Sequence, residues 1–250
     1  MSDGSSRSEN LDQMYHRNFL ALVCDWSIYG LGMSFVSMVT ILPAFVSNLS
    51  SSSVAIGLIM SIATLGFNLP QILVSRKVES LSRKKPYMMK ITLGERIPWF
   101  ILAILVLSPA STDPFLLLVA FFVTYATVNT AGGLTAPAWF EIVAKGIPKD
   151  RRGIYFGVAN FVSSILGIVG GLVAGHFIQN LPFPLGYSAC FASAFVMTMI
   201  SYAALSMVQE PESIVAKSKD SSLTNFMQVT NIVKNDANFR LYLLASVISS

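Results

Sequence analysis

Charge is what this sequence has least of. Only 12% of its 250 residues are Asp, Glu, Lys or Arg, whereas 53% are hydrophobic. A soluble domain carries about 25% charged residues. The deficit is concentrated: 97–112 (IPWFILAILVLSPAST) holds no charge, and in 154–208 His176 is the one group that titrates near neutrality. Such runs predict helices that cross a lipid bilayer rather than the core of a soluble domain. The net charge of +4 therefore gives no reason to expect a nucleic-acid partner.

Cysteine and histidine are nearly missing, with two of each. Cys24 and Cys190 lie in separate apolar runs without Cys-x-x-Cys spacing and read as packing residues. No His or Cys cluster offers a metal site, and neither a metal nor a cofactor is expected. No Gly-x-Ser-Gly nucleophile site accompanies His176, and no Gly-rich loop ends in Gly-Lys-Ser/Thr. An enzyme is not expected. The membrane domain of another multi-pass permease or an ATP-driven exporter stays open as an alternative, with a separate subunit supplying the nucleotide site. Residues 1–17 are polar and contain acids, and the apolar run after them is longer than a signal-peptide core, so no cleaved signal is expected.

What is present is a series of long apolar segments. A spanning helix needs about 20 mainly apolar residues at ~1.5 Å each. Six segments qualify, near 18–46, 54–75, 87–108, 114–143, 153–178 and 185–208. The expected organisation is a polar tail at 1–17, a six-helix membrane domain at 18–208, a polar linker at 209–238 with a short amphipathic helix near 223–233, and at 239–250 the start of a seventh helix. That last run is too short to span, so the chain is expected to stop inside the seventh helix. Sixteen of the seventeen Lys and Arg residues fall in the N-terminal tail, in or around the loop between the second and third segments, between the fourth and fifth, or after the sixth. Bias of basic residues to one side places the N-terminus and linker in the cytoplasm. The seventeenth, Arg96, lies inside the third segment beside Glu95.

The loop after the second segment reads Ser75-Arg76-Lys77-Val78-Glu79-Ser80-Leu81-Ser82-Arg83-Lys84-Lys85. It resembles the Gly-x-x-x-Asp-x-x-Gly-Arg-Lys/Arg signature of the major facilitator superfamily, with Glu79 at the Asp, Arg83 and Lys84 at the basic pair, and Ser75 and Ser82 replacing both glycines. Pro148-Lys149-Asp150-Arg151-Arg152-Gly153, leading to Gly157, is similar to the Arg-Gly entry to the fifth helix in many members. Leu172 after Gly171 departs from the Gly-Pro pair of drug antiporters. Phrases such as LPQILVSRKVE, GERIPWF and TAPAWFEIVAKGIP resemble a bacterial branch without an assigned substrate.

The resemblance implies an all-α polytopic membrane fold: the N-terminal six-helix half, built as 3+3 inverted repeats, of a twelve-helix transporter. It implies a multi-pass protein of a bacterial inner membrane that carries a small solute by rocking two bundles about a central site, with the C-terminal half of the same protein as partner. A non-transporting receptor of the same fold is the other alternative. The resemblance also implies that Glu79, Arg83, Lys84, Lys85, Arg151 and Arg152 serve a cytoplasmic latch; the plain reading of the loop after the second segment is a set of positive-inside anchors.

Candidate sites follow from polar groups at membrane depth, which normally face a cavity or a partner. Asp25 lies about 10 Å beyond Asn18 along the first helix, with Tyr29, Gly32 and Thr40 on its side. Tyr125, Asn129, Gly132 and Ala136 form a similar stripe on the fourth. Asp25, Tyr29, Tyr125 and Asn129 are expected to line a substrate or proton pathway, against the alternative of Asp25 as a structural carboxylate. Arg96 is expected to pair with Asp25, and Glu95 to turn toward the basic layer. Trp139 is expected to be an interfacial anchor, and Glu141 to reach the basic layer. On the fifth helix Gly167, Gly170, Gly171 and Gly175 form a stripe with Asn160 and Ser164, read either as a packing face or as a surface that slides against the other half.

Overall fold

The computed structural model describes residues 2–109 and 113–211, with side chains from residue 14 onward. The expected amphipathic helix, most of the linker and the seventh-helix start lie outside the described residues. Among the described residues the chain is entirely helical: α1 (Ser2–Ser34), α2 (Ile41–Leu49), α3 (Ser53–Glu79), α4 (Lys85–Ile91), α5 (Ile97–Leu105), α6 (Pro114–Gly146), α7 (Arg152–Asn180) and α8 (Leu185–Ser206), with short 3-10 helices at Thr92–Glu95 and Lys149–Arg151.

Four of these, α3, α6, α8 and α7 with its leading 3-10 turn, are long and apolar enough to cross a membrane. They cover the second, fourth, sixth and fifth expected segments. The first and third segments are not single helices, and a proline follows each break, although α3 and α6 stay helical through Pro70 and Pro137. Proline lacks the N–H that would reach back four residues, and its ring collides with that carbonyl. Pro43 thus offers the Val39 carbonyl no N–H, and α1 gives way at 35–40 before α2 begins. Pro98 offers none to the Gly94 carbonyl, and α4 passes into the 3-10 turn before α5. At the start, α1 extends through the tail expected to be outside the helix, from Ser2. Extending a formed helix costs little per residue when no proline interrupts it.

The long helices meet where side chains are small. A Cβ on Gly133 of α6 would lie 2.2 Å from the backbone oxygen of Phe67, so α3 and α6 can cross there only with glycine. Asp113 caps α6, its side chain accepting from the N–H groups of Phe115 and Leu116 at 2.9 and 3.2 Å.

Two apolar cores stabilise the bundle. One gathers Phe45, Trp99, Phe121, Tyr125 and Phe191. The other gathers Leu22, Val78, Met88, Ala138, Ile142 and Tyr155. The charged residues Asp25, Glu95 and Arg96 are buried, yet belong to neither core. The helices α3 and α7 are the least enclosed spans, with 11% of their most apolar windows buried against 39% for α6 and α8.

Candidate functional site: a charged cavity between two apolar cores

The break at Thr92–Arg96 creates the site. In a regular helix the Arg96 N–H would serve the Thr92 carbonyl; here it bonds to Leu93 at 3.1 Å. The Arg96 side chain replaces it, Nη1 donating to the Thr92 carbonyl at 2.8 Å and also to Thr92 Oγ1. Nε donates to the Thr198 carbonyl on α8 at 2.9 Å, and Nη2 to Ser201 Oγ at 3.4 Å. A buried backbone group freed by a break needs another partner, and a side-chain donor supplies it. The rings of Tyr29 and Tyr202 each lie 5.6 Å from the guanidinium carbon.

Each carboxylate joins Arg96 through one hydroxyl. Asp25 Oδ1 accepts from Ser201 Oγ at 2.6 Å, and Oδ2 from Trp139 Nε1 at 3.0 Å. Glu95 Oε1 accepts from Thr92 Oγ1 at 2.9 Å, and Oε2 from the Tyr29 hydroxyl at 3.1 Å. The connected order is Asp25, Ser201, Arg96, Thr92, Glu95. A hydroxyl gives one proton and accepts at its lone pairs, so Ser201 and Thr92 are suited to stand between a donor and a carboxylate.

The expected direct Asp25–Arg96 contact is therefore corrected: Ser201 occupies the space between them. Glu95 does not turn toward the basic layer either. In a 3-10 turn residues three apart eclipse, which brings Glu95 over Thr92 and beside Tyr29. Trp139 is not an interfacial anchor, being 8% exposed and committed to Asp25.

Asp25, Tyr29, Thr92, Glu95, Arg96 and Trp139 line a cavity of about 210 Å3, whose wall also includes Trp26, Phe67, Gly132 and Phe140. The Trp26 and Trp139 rings are 5.0 Å apart. The four expected pathway residues divide between two cavities. Asp25 and Tyr29 line the charged one. Tyr125 and Asn129 line a second, of about 470 Å3, with the break at 35–40 and with Gly167 and Gly171. There Asn129 Nδ2 donates to the Tyr125 carbonyl at 2.8 Å.

The matching family model is that of the Major Facilitator Superfamily, over residues 26–250. The chain belongs to this superfamily. It is a multi-pass membrane protein of a transporter family. No curated protein matches it.

In this superfamily member the residues expected to act as a latch are partly engaged within the chain. Lys84 Nζ pairs with Glu141 at 3.0 Å and donates to the Leu81 carbonyl at 2.7 Å. Lys85 Nζ donates to the carbonyls of Ser206 and Val208 at the end of α8, at 2.6 and 2.7 Å. Arg152 donates to the carbonyls of Ile147 and Ala144. Glu79 is exposed at the end of α3. Sequence reasoning missed the acid that organises this end, Glu210. Its carboxylate accepts from the backbone N–H groups of Lys84 and Lys85 at 2.9 and 2.7 Å and from Lys145 Nζ at 2.8 Å. Burial pushes the Glu210 carboxyl up, but these bonds outweigh it and hold it below its ordinary value of 4.5.

The glycine stripe of α7 is not one packing face. A Cβ on Gly170 would meet Ser34 and Leu31 of α1, whereas Gly167, Gly171 and Gly175 have nothing within 4 Å. Also missed were Thr92, Thr198 and Ser201. Thr198 and Ser201 stand three apart on α8, one helical face, which was the available signal.

Proposed function

We propose that this chain is the N-terminal six-span half of a secondary active or facilitative transporter of a small solute. It works by alternating access, as two bundles rock about a central site. The observation that carries the reading is the cavity beside a broken helix, between two apolar cores, walled by the buried charges Asp25, Glu95 and Arg96. Buried ionisable groups in a bilayer are costly and mark a pathway or a partner, and irregular backbone at that depth is tolerated where protein or a cavity satisfies it.

In this reading α1 with α2, and α4 with α5, are the first and third spans, each interrupted by its proline. The basic end is cytoplasmic, because Lys and Arg gather there. Asp25 and Glu95 are the groups that hold substrate or a proton, and Tyr125 and Asn129 continue the pathway past the break in the first span. The poorly enclosed faces of α3 and α7, including Gly167, Gly171 and Gly175, meet the C-terminal half. Glu79 and Arg83 serve a latch to that half, while Lys84, Lys85 and Arg152 brace this one.

Reconstitution of the full-length protein in vesicles tests the proposal. Solute flux that depends on the protein and is lost in Asp25→Asn and Glu95→Gln variants that still fold supports it. Flux unaffected by both variants would remove the cavity from the pathway.

A further inference from the structure

We propose that the cavity beside Asp25 and Glu95 takes an organic cation, a protonated amine on an apolar body, with Glu95 as its counter-charge. This rests on the reading of that cavity as the solute site.

The donors around this cavity are already committed. Tyr29, Thr92, Ser201 and the Trp139 indole all donate to the two carboxylates. The Trp26 indole donates to Asn160 Oδ1 at 3.0 Å. Arg96, the cation of the wall, uses Nε, Nη1 and Nη2 on protein oxygens. A carboxylate or phosphate ligand needs a presented guanidinium fork, as in bidentate pairs; these bonds and that to Thr92 Oγ1 use four of the five N–H groups and leave a single Nη2 N–H, not a fork.

Acceptors are in surplus. Each carboxylate oxygen takes one side-chain hydrogen bond, and an ionised carboxylate has about four lone-pair sites. Two carboxylates face one guanidinium in the wall, so the fixed charge there is negative. A ligand that brings N–H donors and positive charge complements both deficits.

The rest of the wall favours the same class. Trp26, Trp139, Phe67 and Phe140 line the cavity, and aromatic faces attract cations. Gly132 keeps space open at Glu95: a Cβ there would lie 3.8 Å from Glu95 Cδ and 3.4 Å from the Phe67 ring. A metal ion is the poorer fit, since among the described residues no three His, Cys, Asp or Glu side chains converge.

The test is equilibrium binding to the purified full-length protein, with three sets of probes. One set holds phenethylammonium, cyclohexylammonium and tryptammonium. A second holds their neutral alcohol isosteres, and the third matched carboxylates. At least one amine should bind tenfold or more tightly than its alcohol, the matched carboxylate should not compete, and Glu95→Gln should weaken that amine tenfold or more. Gly132→Val, which fills the space between Glu95 and Phe67, should do the same. The proposal is overturned if no amine exceeds its alcohol, if carboxylates bind as well, or if an amine binds equally to wild type and both variants. The ligand comparison on wild type stands even where a variant fails to fold. Vesicle flux separates the two readings. Amine binding with no protein-dependent flux sinks the transporter and keeps the cation site. Flux of another solute class, without amine binding, does the reverse.

Discussion

Arg96 and Asp25 are held one hydroxyl apart, Ser201 Oγ lying 3.4 Å from Arg96 Nη2 and 2.6 Å from Asp25 Oδ1. Across the same guanidinium, Thr92 stands between Arg96 and Glu95. One arginine thus holds two carboxylates without direct contact, which leaves acceptor capacity on both.

Ser201→Ala removes the first of these hydroxyls and leaves a buried carboxylate oxygen and an arginine N–H without a partner. Losing one side of a buried hydrogen bond costs about 1–3 kcal/mol. The variant should melt lower by that amount in detergent, and Ser201→Thr, which restores a hydroxyl, should recover part of it. An unchanged melting curve for Ser201→Ala would remove Ser201 as the linking group.

Trp139→Phe separates the ring from its N–H. The apolar wall against Trp26 stays, while Asp25 Oδ2 loses its donor. The variant should fold, and protein-dependent flux of the full-length protein should fall about tenfold, a change of ~1.4 kcal/mol that matches one buried hydrogen bond. Flux equal to wild type would make the Asp25–Trp139 bond dispensable.

Gly133→Ala should be far more damaging than substitution at an open glycine. Its Cβ would lie 2.2 Å from the Phe67 backbone oxygen, whereas Gly57 has nothing within 4 Å. Overpacking typically costs about 1–3 kcal/mol, and a backbone obstacle puts this site at the upper end. Gly57→Ala should leave the melting temperature unchanged or raise it, since alanine favours helix. Thermal unfolding of the two variants side by side checks the order.

Glu210 predicts acid sensitivity at the basic end. Its folded carboxyl lies below its ordinary value of 4.5, so the ionised form is favoured by folding. The contribution is complete well above pH 4.5 and is lost as pH falls through the folded value. Glu210→Gln should lower the melting temperature at pH 7 and flatten the decline on acidification. A parallel decline in both proteins would assign the acid sensitivity to other groups.

The membrane class, helical fold and superfamily were legible because they rest on long-range composition. Runs such as 154–208 admit few other structures, and the signature-like loop needs only its spacing. Four expected segments appear as continuous helices. The breaks at 35–40 and Thr92–Arg96 were not foreseen, although Pro43 and Pro98 mark both. Hydrophobicity does not register a proline, and a proline alone does not decide a break, since α3 and α6 run through Pro70 and Pro137.

At the site, Asp25, Glu95 and Arg96 were conspicuous as charges within apolar runs, and the sequence alone was enough to mark them as costly groups requiring partners. It also determined, through its charge-poor runs, that the chain folds in a bilayer. Which partners they found was decided only in three dimensions. Ser201 lies 176 residues from Asp25, and Trp139 lies 114 residues from it. Hydrogen bonds depend on where helices cross and where one breaks, and a short-range reading of side chains carries neither. The 3-10 turn that swings Glu95 over Thr92 belongs to that same level: Pro98 leaves the Gly94 carbonyl without its helical donor, but the packing of α6 and α8 around it decides which way each charge points.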